Sequence, residues 1–302
     1  MISIVICSTS TQIAAALQKN IEEKIGVPYE IIGMDNSENK YSIFSAYNEG
    51  VAKSKYDIIC FIHEDVFFHT TNWGLKVLDY LSDSSTGIIG ICGCATLSKI
   101  PSPWSLYEPY KYIIQSTPSG RKQELQQSGF DNSIEKKEVI AVDGVFMCAR
   151  KDLFQKIRFD EEAFNGYHSY DIDICLQARM AGYKNYFVND ILIEHFSKGY
   201  HSKGWIINSM TLTDKWIAQL PISLNPVSSD LLKKMEYNYM TVNFAKYLIR
   251  AGYSNVECTR LIAKFLHHHA HSDSKSFICK IYLKTLWVRL LKKPLSFFLS
   301  LS

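Results

Sequence analysis

The stretch Phe61-Ile62-His63-Glu64-Asp65-Val66 decides the fold. It closes an apolar run, Ile58-Ile59-Cys60-Phe61-Ile62, that reads as a strand buried on both faces. His63, Glu64 and Asp65 follow with no turn residue between them. Open α/β sheets bind their ligands beyond the carboxyl ends of the strands. Carboxylate oxygens and an imidazole at such a place suit a divalent metal, and a divalent metal suits a phosphate-bearing substrate. An ordinary strand end with solvated charges has the same local pattern, so the neighbouring segments must separate the two.

Outward from this run the pattern alternates. Ile2–Ser8 reads as a buried strand, and 11–24 as a helix with Ile13, Ala16, Leu17 and Ile21 on one stripe. A second strand, 29–34, ends at the turn cluster Asp35-Asn36-Ser37. Helices over 42–54 and 73–81 flank the central strand, and 87–94 reads as a fourth strand. Such β-α-β-α-β order predicts a parallel sheet with helices on both faces. Gly87, Gly90 and Gly93 lie inside a strand pattern, so they are no phosphate loop. From 97 to 137 the pattern breaks at Pro101, Pro103, Pro109, Pro118 and Gly120. A loop of that length in a compact domain is usually functional. A strand resumes over 139–148, a helix over 171–181 closes at Gly182, and 186–194 is a further strand. Beyond 212 the signals are helical.

The chain has 302 residues, 47% of them hydrophobic, enough for one large core with a helical appendage. A net charge of +3 makes no case for a nucleic-acid partner. Eight cysteines lack any Cys-x-x-Cys pair, and most sit in apolar runs, which predicts a reduced, cytoplasmic protein. The first basic residue is Lys19, unlike the charged start of a signal peptide, and no apolar run reaches the length of a membrane span.

Several side chains stand where chemistry is done. Asp35, at a strand end, can accept hydrogen bonds from a base or ribose, or simply form its turn. Asn48 lies on the following helix. In Tyr170-Asp171-Ile172-Asp173 one aspartate is expected to cap the helix, which leaves the other for a role such as general base. His195 ends the 186–194 strand and can ligate a metal through a neutral ring nitrogen. The run His267-His268-His269-Ala270-His271 reads as a solvated polar cluster, with metal binding as a minor option.

In order, these segments resemble GT-A-type glycosyltransferases, close to the inverting enzymes of family two, over roughly residues 1 to 210. Ile2–Ser8 resembles the first strand, Asp35-Asn36-Ser37 the nucleotide-contacting strand end, and Ala46-x-Asn48-x-Gly50-x-x-Ala52 the helix after it. His63-Glu64-Asp65 stands at the Asp-x-Asp metal motif, with His63 replacing its first acid. Val142-Asp143-Gly144, then Tyr170-Asp171-Ile172-Asp173, resemble the acceptor-side strand and the base motif, with Tyr170 where the family has an acid. The resemblance implies a mixed, mostly parallel α/β sheet flanked by helices, over 1–210, and a helical extension over 211–302. It implies an enzyme of hexosyltransferase type that moves a sugar from a nucleotide-diphosphate donor to a glycan or lipid-linked acceptor, with inversion. Ser8, Asp35, Asn48, Glu64 and Asp65 would face the nucleotide. Asp65 and His195 would hold manganese or magnesium, and Asp171, with Asp173 as alternative, would be the base. Trp104, Tyr107 and Tyr110 in the 97–137 segment are suited to be platforms for sugar rings on the acceptor side, or else merely pack on the core.

Two rivals remain. A sugar nucleotidyltransferase usually carries a glycine-rich basic loop after its first strand, and Ser8-Thr9-Ser10-Thr11-Gln12 has neither glycine nor lysine. A degenerate, non-catalytic sugar-binding module is kept in view by His63. At the C-terminal end, Cys279, Leu283, Leu286, Trp287 and Leu290 form an apolar stripe, and six basic residues with no acid follow Asp273. Pro294 should end the helix, before Leu295-Ser296-Phe297-Phe298-Leu299. This end suits the anionic inner face of a plasma membrane, or else packs on the chain's own core or forms a dimer contact.

Overall fold

Unbroken apolar strands are held in sheets by burial of both faces. Here Ile2, Ile4, Val5 and Ile6 in one strand and Ile59 to Ile62 in another are almost wholly out of solvent. The computed structural model describes residues 1–119, 122–131, 133–134, 136–197, 201–269, 272 and 274–291. Its contacts divide them into two units. The first comprises Met1–Leu97, Trp104–Tyr200 and Ile222–Asn225, and the second Ser98–Pro103, His201–Pro221 and the residues from Pro226 on.

In the first unit the order is β1 (Ile2–Ser8), α1 (Ala15–Ile25), β2 (Tyr29–Asp35), α2 (Ile43–Lys53), β3 (Ile58–Ile62), β4 (Val66–Phe68), α3 (Trp73–Tyr80), β5 (Thr86–Gly90), β6 (Cys92–Cys94) and β7 (Thr96–Leu97). There follow β8 (Pro109–Ser116), β9 (Gln123–Ser128), β10 (Lys136–Val139), β11 (Ala141–Val142), β12 (Phe146–Arg150), α4 (Tyr170–Met180), β13 (Lys184–Val188), β14 (Ile193–His195) and, after a helix of the second unit, β15 (Ile222–Ser223). One sheet runs β10-β13-β5-β12-β3-β1-β2, and a second runs β11-β6-β8-β14-β4 with β9 beside β8. β1 is parallel to β2 and β3, and β13 to β5, whereas β12 is antiparallel to both neighbours.

The structure departs from the sequence reading at the crossings between sheets. The 139–148 run is three strands, because the Ile140 and Asp143 amides bond to Cys94 and Cys92 in the second sheet before the chain returns. The 87–94 and 186–194 runs likewise each split into strands of different sheets. Apolar runs that pass between two layers look continuous in sequence. The 97–137 excursion is partly ordered, and its β8 is the middle strand of the second sheet. Cys60 and Cys148, expected to be reduced, lie opposite one another on β3 and β12 and form a disulfide. Their 88-residue separation gives no hint of that pairing.

Beneath β4, Trp73 stacks on Phe68 with ring centroids 4.5 Å apart. Asn20 of α1 receives the Phe68 amide at 2.7 Å and donates to its carbonyl at 3.1 Å, all in the interior. This amide ties α1 to the short strand that follows Asp65.

The second unit contains α5 (Lys203–Lys215), α6 (Ser229–Asn238), a π-helical stretch (Tyr239–Phe244), α7 (Ala245–Arg250), α8 (Asn255–Phe265) and α9 (Lys275–Leu290). Serines cap four of these helices: Ser202, Ser228, Ser254 and Ser274 each accept from a first-turn amide. On α9 the buried residues are Ile281, Thr285 and Val288. Of the expected stripe, Cys279, Leu283, Trp287 and Leu290 are exposed and Leu286 is half-buried. Pro294 and 295–299 lie outside the described residues. No described helix is long and apolar enough to cross a membrane.

Asn20→Leu, close in volume, leaves the Phe68 amide and carbonyl buried without partners. Such loss costs roughly 1–3 kcal/mol. Urea unfolding should show a fall of that size at constant m-value.

Candidate active site

The site is built by register. Ser8 and Asp35 are partners at the carboxyl ends of β1 and β2, and His63 follows β3 at the same edge. Because β12 is antiparallel, its start faces the end of β3, with Phe146 opposite Ile62. The residues just before β12, Asp143 and Gly144, are therefore delivered to the same edge, and the His63 amide bonds to the Val145 carbonyl at 3.2 Å. β14 pairs with β4 so that His195 lies opposite Val66, one residue from Asp65.

Three side chains converge there. His195 Nε2 is 3.4 Å from Asp65 Oδ1 and 3.4 Å from His63 Nδ1, and His63 Nδ1 is 3.9 Å from Asp65 Oδ1. One carboxylate and two imidazoles at such spacing can hold a divalent ion. The sequence reading ranked His63 below Asp65 and His195, yet its ring contributes to the cluster on equal terms. Burial, and then the neighbouring His195, push the His63 imidazole below its usual range, which favours the neutral, ligating form. Burial alone would raise the Asp65 carboxyl, but the hydrogen bond and charge of His195 hold it below the ordinary range.

His63 also faces the other way. Its Nε2 is 2.9 Å from the Tyr170 hydroxyl at the start of α4. Tyr170 passes so close to Gly144 that a Cβ there would run into the ring and its hydroxyl. Neither aspartate caps α4; the residue before the helix is Ser169, in left-handed conformation with φ 68°. Tyr170 takes the first helical position because its ring packs edge-on against Phe44 and Tyr47. Asp171 is thereby set beside the Asp143-Gly144 turn, where its carboxylate accepts from the Gly144 amide at 3.1 Å and the Ile172 amide at 2.9 Å. Asp173 is buried and accepts from Gln177 Nε2 at 2.7 Å.

The remaining sequence candidates have other partners. Glu64 accepts from Ser8 Oγ at 2.6 Å and from the Thr9 hydroxyl at 2.7 Å, shaping the turn after β1. Asp35 accepts from the Ser37 amide and hydroxyl, as a turn-forming aspartate does, and lines a 310 Å³ cavity with Gly33, Met34, Lys40 and Tyr41. Asn48 is turned away: its amide donates to the Phe159 carbonyl at 2.8 Å and receives the Phe159 amide at 3.1 Å. Of the aromatics, Tyr107 is buried and Tyr110 packs on Phe187, while Trp104 Nε1 donates to Asp143 Oδ2 at 2.7 Å.

Asp143 is the residue that sequence reasoning quoted without a role. Burial, and next the Asp143 charge, raise the Asp171 carboxyl to about 7, against the pull of the Ile172 and Gly144 amides. The signal was the Asp-Gly pair inside an apparent strand, a turn signature read as strand.

This sheet order and edge have the arrangement of the GT-A fold. The chain belongs to the group described as "Glycosyltransferase like family", whose sequence model matches residues 2–216. No curated protein matches it in sequence. Among solved structures, residues 1–349 of S. aureus TarS superpose with a TM-score of 0.51 at 10% identity, covering 96% of this chain and 92% of that one. The mannosyltransferase PcManGT from Pyrobaculum calidifontis, in complex with GDP-Man and Mn2+, gives 0.47 at 12% identity, over 97% and 88%. At such identities the first likeness speaks for the fold, and the second carries no further argument.

Asp171 should titrate near 7 in a carbon-13 NMR series on the free protein. Asp143→Asn removes the neighbouring charge but leaves the burial, so the midpoint should move down and stay above the ordinary carboxylate range. An unmoved midpoint would mean that Asp143 does not act on Asp171.

Proposed function

We propose that the enzyme transfers a sugar from a nucleoside-diphosphate donor to a hydroxyl of a glycan or lipid-linked acceptor, with inversion at the anomeric carbon. The observation that carries this reading is the two-sided contact of His63. One ring nitrogen joins the Asp65–His195 group, and the other meets Tyr170, the residue before Asp171.

His63, Asp65 and His195 are the proposed metal ligands. A divalent ion bound there would supply Lewis-acid neutralisation of the departing diphosphate. Two nitrogen donors against one carboxylate favour manganese over magnesium, which prefers an oxygen shell. Ser8, Glu64 and Asp35 shape the proposed nucleotide side, with the cavity beside Asp35 as the seat of the base. Asn48 supports it from behind, through the Phe159 backbone.

Asp171 is the proposed general base. It takes the proton from the acceptor hydroxyl as the new glycosidic bond forms and the bond from anomeric carbon to diphosphate oxygen breaks. A carboxyl raised to about 7 is well matched to that transfer near neutral pH. Asp173 is the weaker choice, since Gln177 holds it within the helix. One displacement needs no protein nucleophile. The nearby Cys7 thiol suits none, as burial, and then Glu64, push it up to about 11. Trp104, fixed by Asp143, is the proposed platform for the acceptor ring.

Peripheral attachment to an anionic membrane is the reading we favour for α9. Leu283, Trp287 and Leu290 are exposed while Ile281, Thr285 and Val288 anchor the helix from its other side. A lipid-linked acceptor would make such attachment useful. Leu283→Glu with Trp287→Glu leaves the buried residues in place, so binding to anionic liposomes should fall with the circular dichroism unchanged. Equal binding would remove the membrane from this account.

Transfer and hydrolysis from a panel of nucleotide sugars, with Mn2+ or Mg2+, tests the enzymatic reading. Asp171→Asn should lower kcat by ~100- to 10,000-fold with donor affinity nearly unchanged. Asp173→Asn should leave most of the turnover. The reverse result would exchange their roles, and turnover untouched in both would discard the base assignment.

A further inference from the structure

The histidine run after α8 reads in sequence as a solvated cluster. The structure places two of its members against a buried acid. His268 Nε2 is 2.8 Å and His269 Nε2 is 3.1 Å from the same oxygen, Oε2 of Glu236. Glu236 comes from the last turns of α6 and is 1% exposed. Its other oxygen accepts the Lys99 amide at 3.0 Å. Among the described residues its ion-pair partners are these two histidines. His267 stays outside the group, with its Nδ1 against the Lys264 carbonyl.

We propose that Glu236, His268 and His269 form a second divalent-metal site, of the zinc type, wholly within the helical unit. The first argument is geometric. The three ligand atoms all lie within 4.8 Å of one another. Ligand atoms around one tetrahedral zinc, at about 2.0–2.2 Å from the ion, would stand ~3.3 Å apart. The two nitrogens therefore approach the carboxylate at nearly the spacing an ion would impose, and small rotations of the rings would open the centre.

The second argument is charge. A buried carboxylate is costly unless its charge is matched. A neutral imidazole supplies a hydrogen bond only. A divalent ion would supply the charge as well. Among the described residues His268 Nδ1 is buried without a hydrogen-bond partner, so no second group fixes the tautomer of this ring.

The third argument is donor type. Two imidazoles and one carboxylate suit zinc, cobalt or nickel, whereas magnesium and calcium call for more oxygens. The ligands bridge α6 and the turn after α8, where the His269 amide bonds back to the Leu266 carbonyl. Metal at this point would cross-link two parts of the helical unit, so the site is structural in character. It is independent of the proposed transfer chemistry.

The test is metal stoichiometry and thermal stability of the full chain with Zn2+, and visible absorption with Co2+. The unaltered protein should bind one equivalent more than the His268→Gln, His269→Gln double variant, and Zn2+ should raise its Tm by more. Asp65→Ala should remove a different equivalent and leave this one, so failure of the active-site reading and failure of this one are separable. Equal stoichiometry in the folded double variant would overturn the site and leave a hydrogen-bonded clamp only. If the double variant does not fold, His269→Gln alone must weaken Zn2+ binding by more than about tenfold. Unchanged affinity in that variant overturns the proposal equally.

Discussion

Everything at the active edge depends on the reversed strand β12. Inserted antiparallel between β3 and β5, it brings its amino end to the place where its parallel neighbours end. An all-parallel sheet would have sent residues 143 and 144 to the far side of the molecule. The reversal instead lays Asp143 and Gly144 next to His63, and α4 then has a fixed surface on which to set Tyr170 and Asp171. The disulfide between Cys60 and Cys148 joins the same two strands below the site, past the pairs Ile62–Phe146 and Phe61–Met147.

Within this edge, burial acts on acids in opposite directions according to their company. Asp65 has two imidazoles beside it and keeps its charge readily. Asp171 has another carboxylate beside it and gives up its charge sooner. Asp65 beside His63, and Asp171 next in the chain to the Tyr170 that meets His63, are thus made chemically different. Divergence of this kind is what the proposed division of roles, a cation at Asp65 and a proton at Asp171, requires.

Much of this was legible in the sequence because it is local. A buried strand ending in His63-Glu64-Asp65, and a helix opening at Tyr170-Asp171, need only periodicity and end signals to be read. His63 was undervalued because metal motifs are judged by residue type, whereas the β4–β14 register decides which atoms meet. For Asn48 the helix position is readable, but not that the Phe159 backbone would approach its amide. The crossings at Ile91, Ile140 and Asp143 were hidden because burial in two successive sheets leaves one continuous apolar run. On α9 apolar residues lie on both sides, Ile281 and Val288 buried and Leu283 and Trp287 exposed, and which side a helix turns inward is decided by the partners it finds. Glu236 and the histidines, more than thirty residues apart in sequence, were beyond any local reading.

The close approach of Gly144 to Tyr170 has an evolutionary consequence. The space between them is a single volume shared by two positions, one on a turn and one on a helix. A side chain at 144 requires a smaller ring, or none, at 170, and that loss would release His63 from its hydroxyl. The two positions should therefore change together or not at all across relatives of this chain. A lineage that acquires alanine at 144 should also have replaced the tyrosine, and should position its metal-side histidine by some other group.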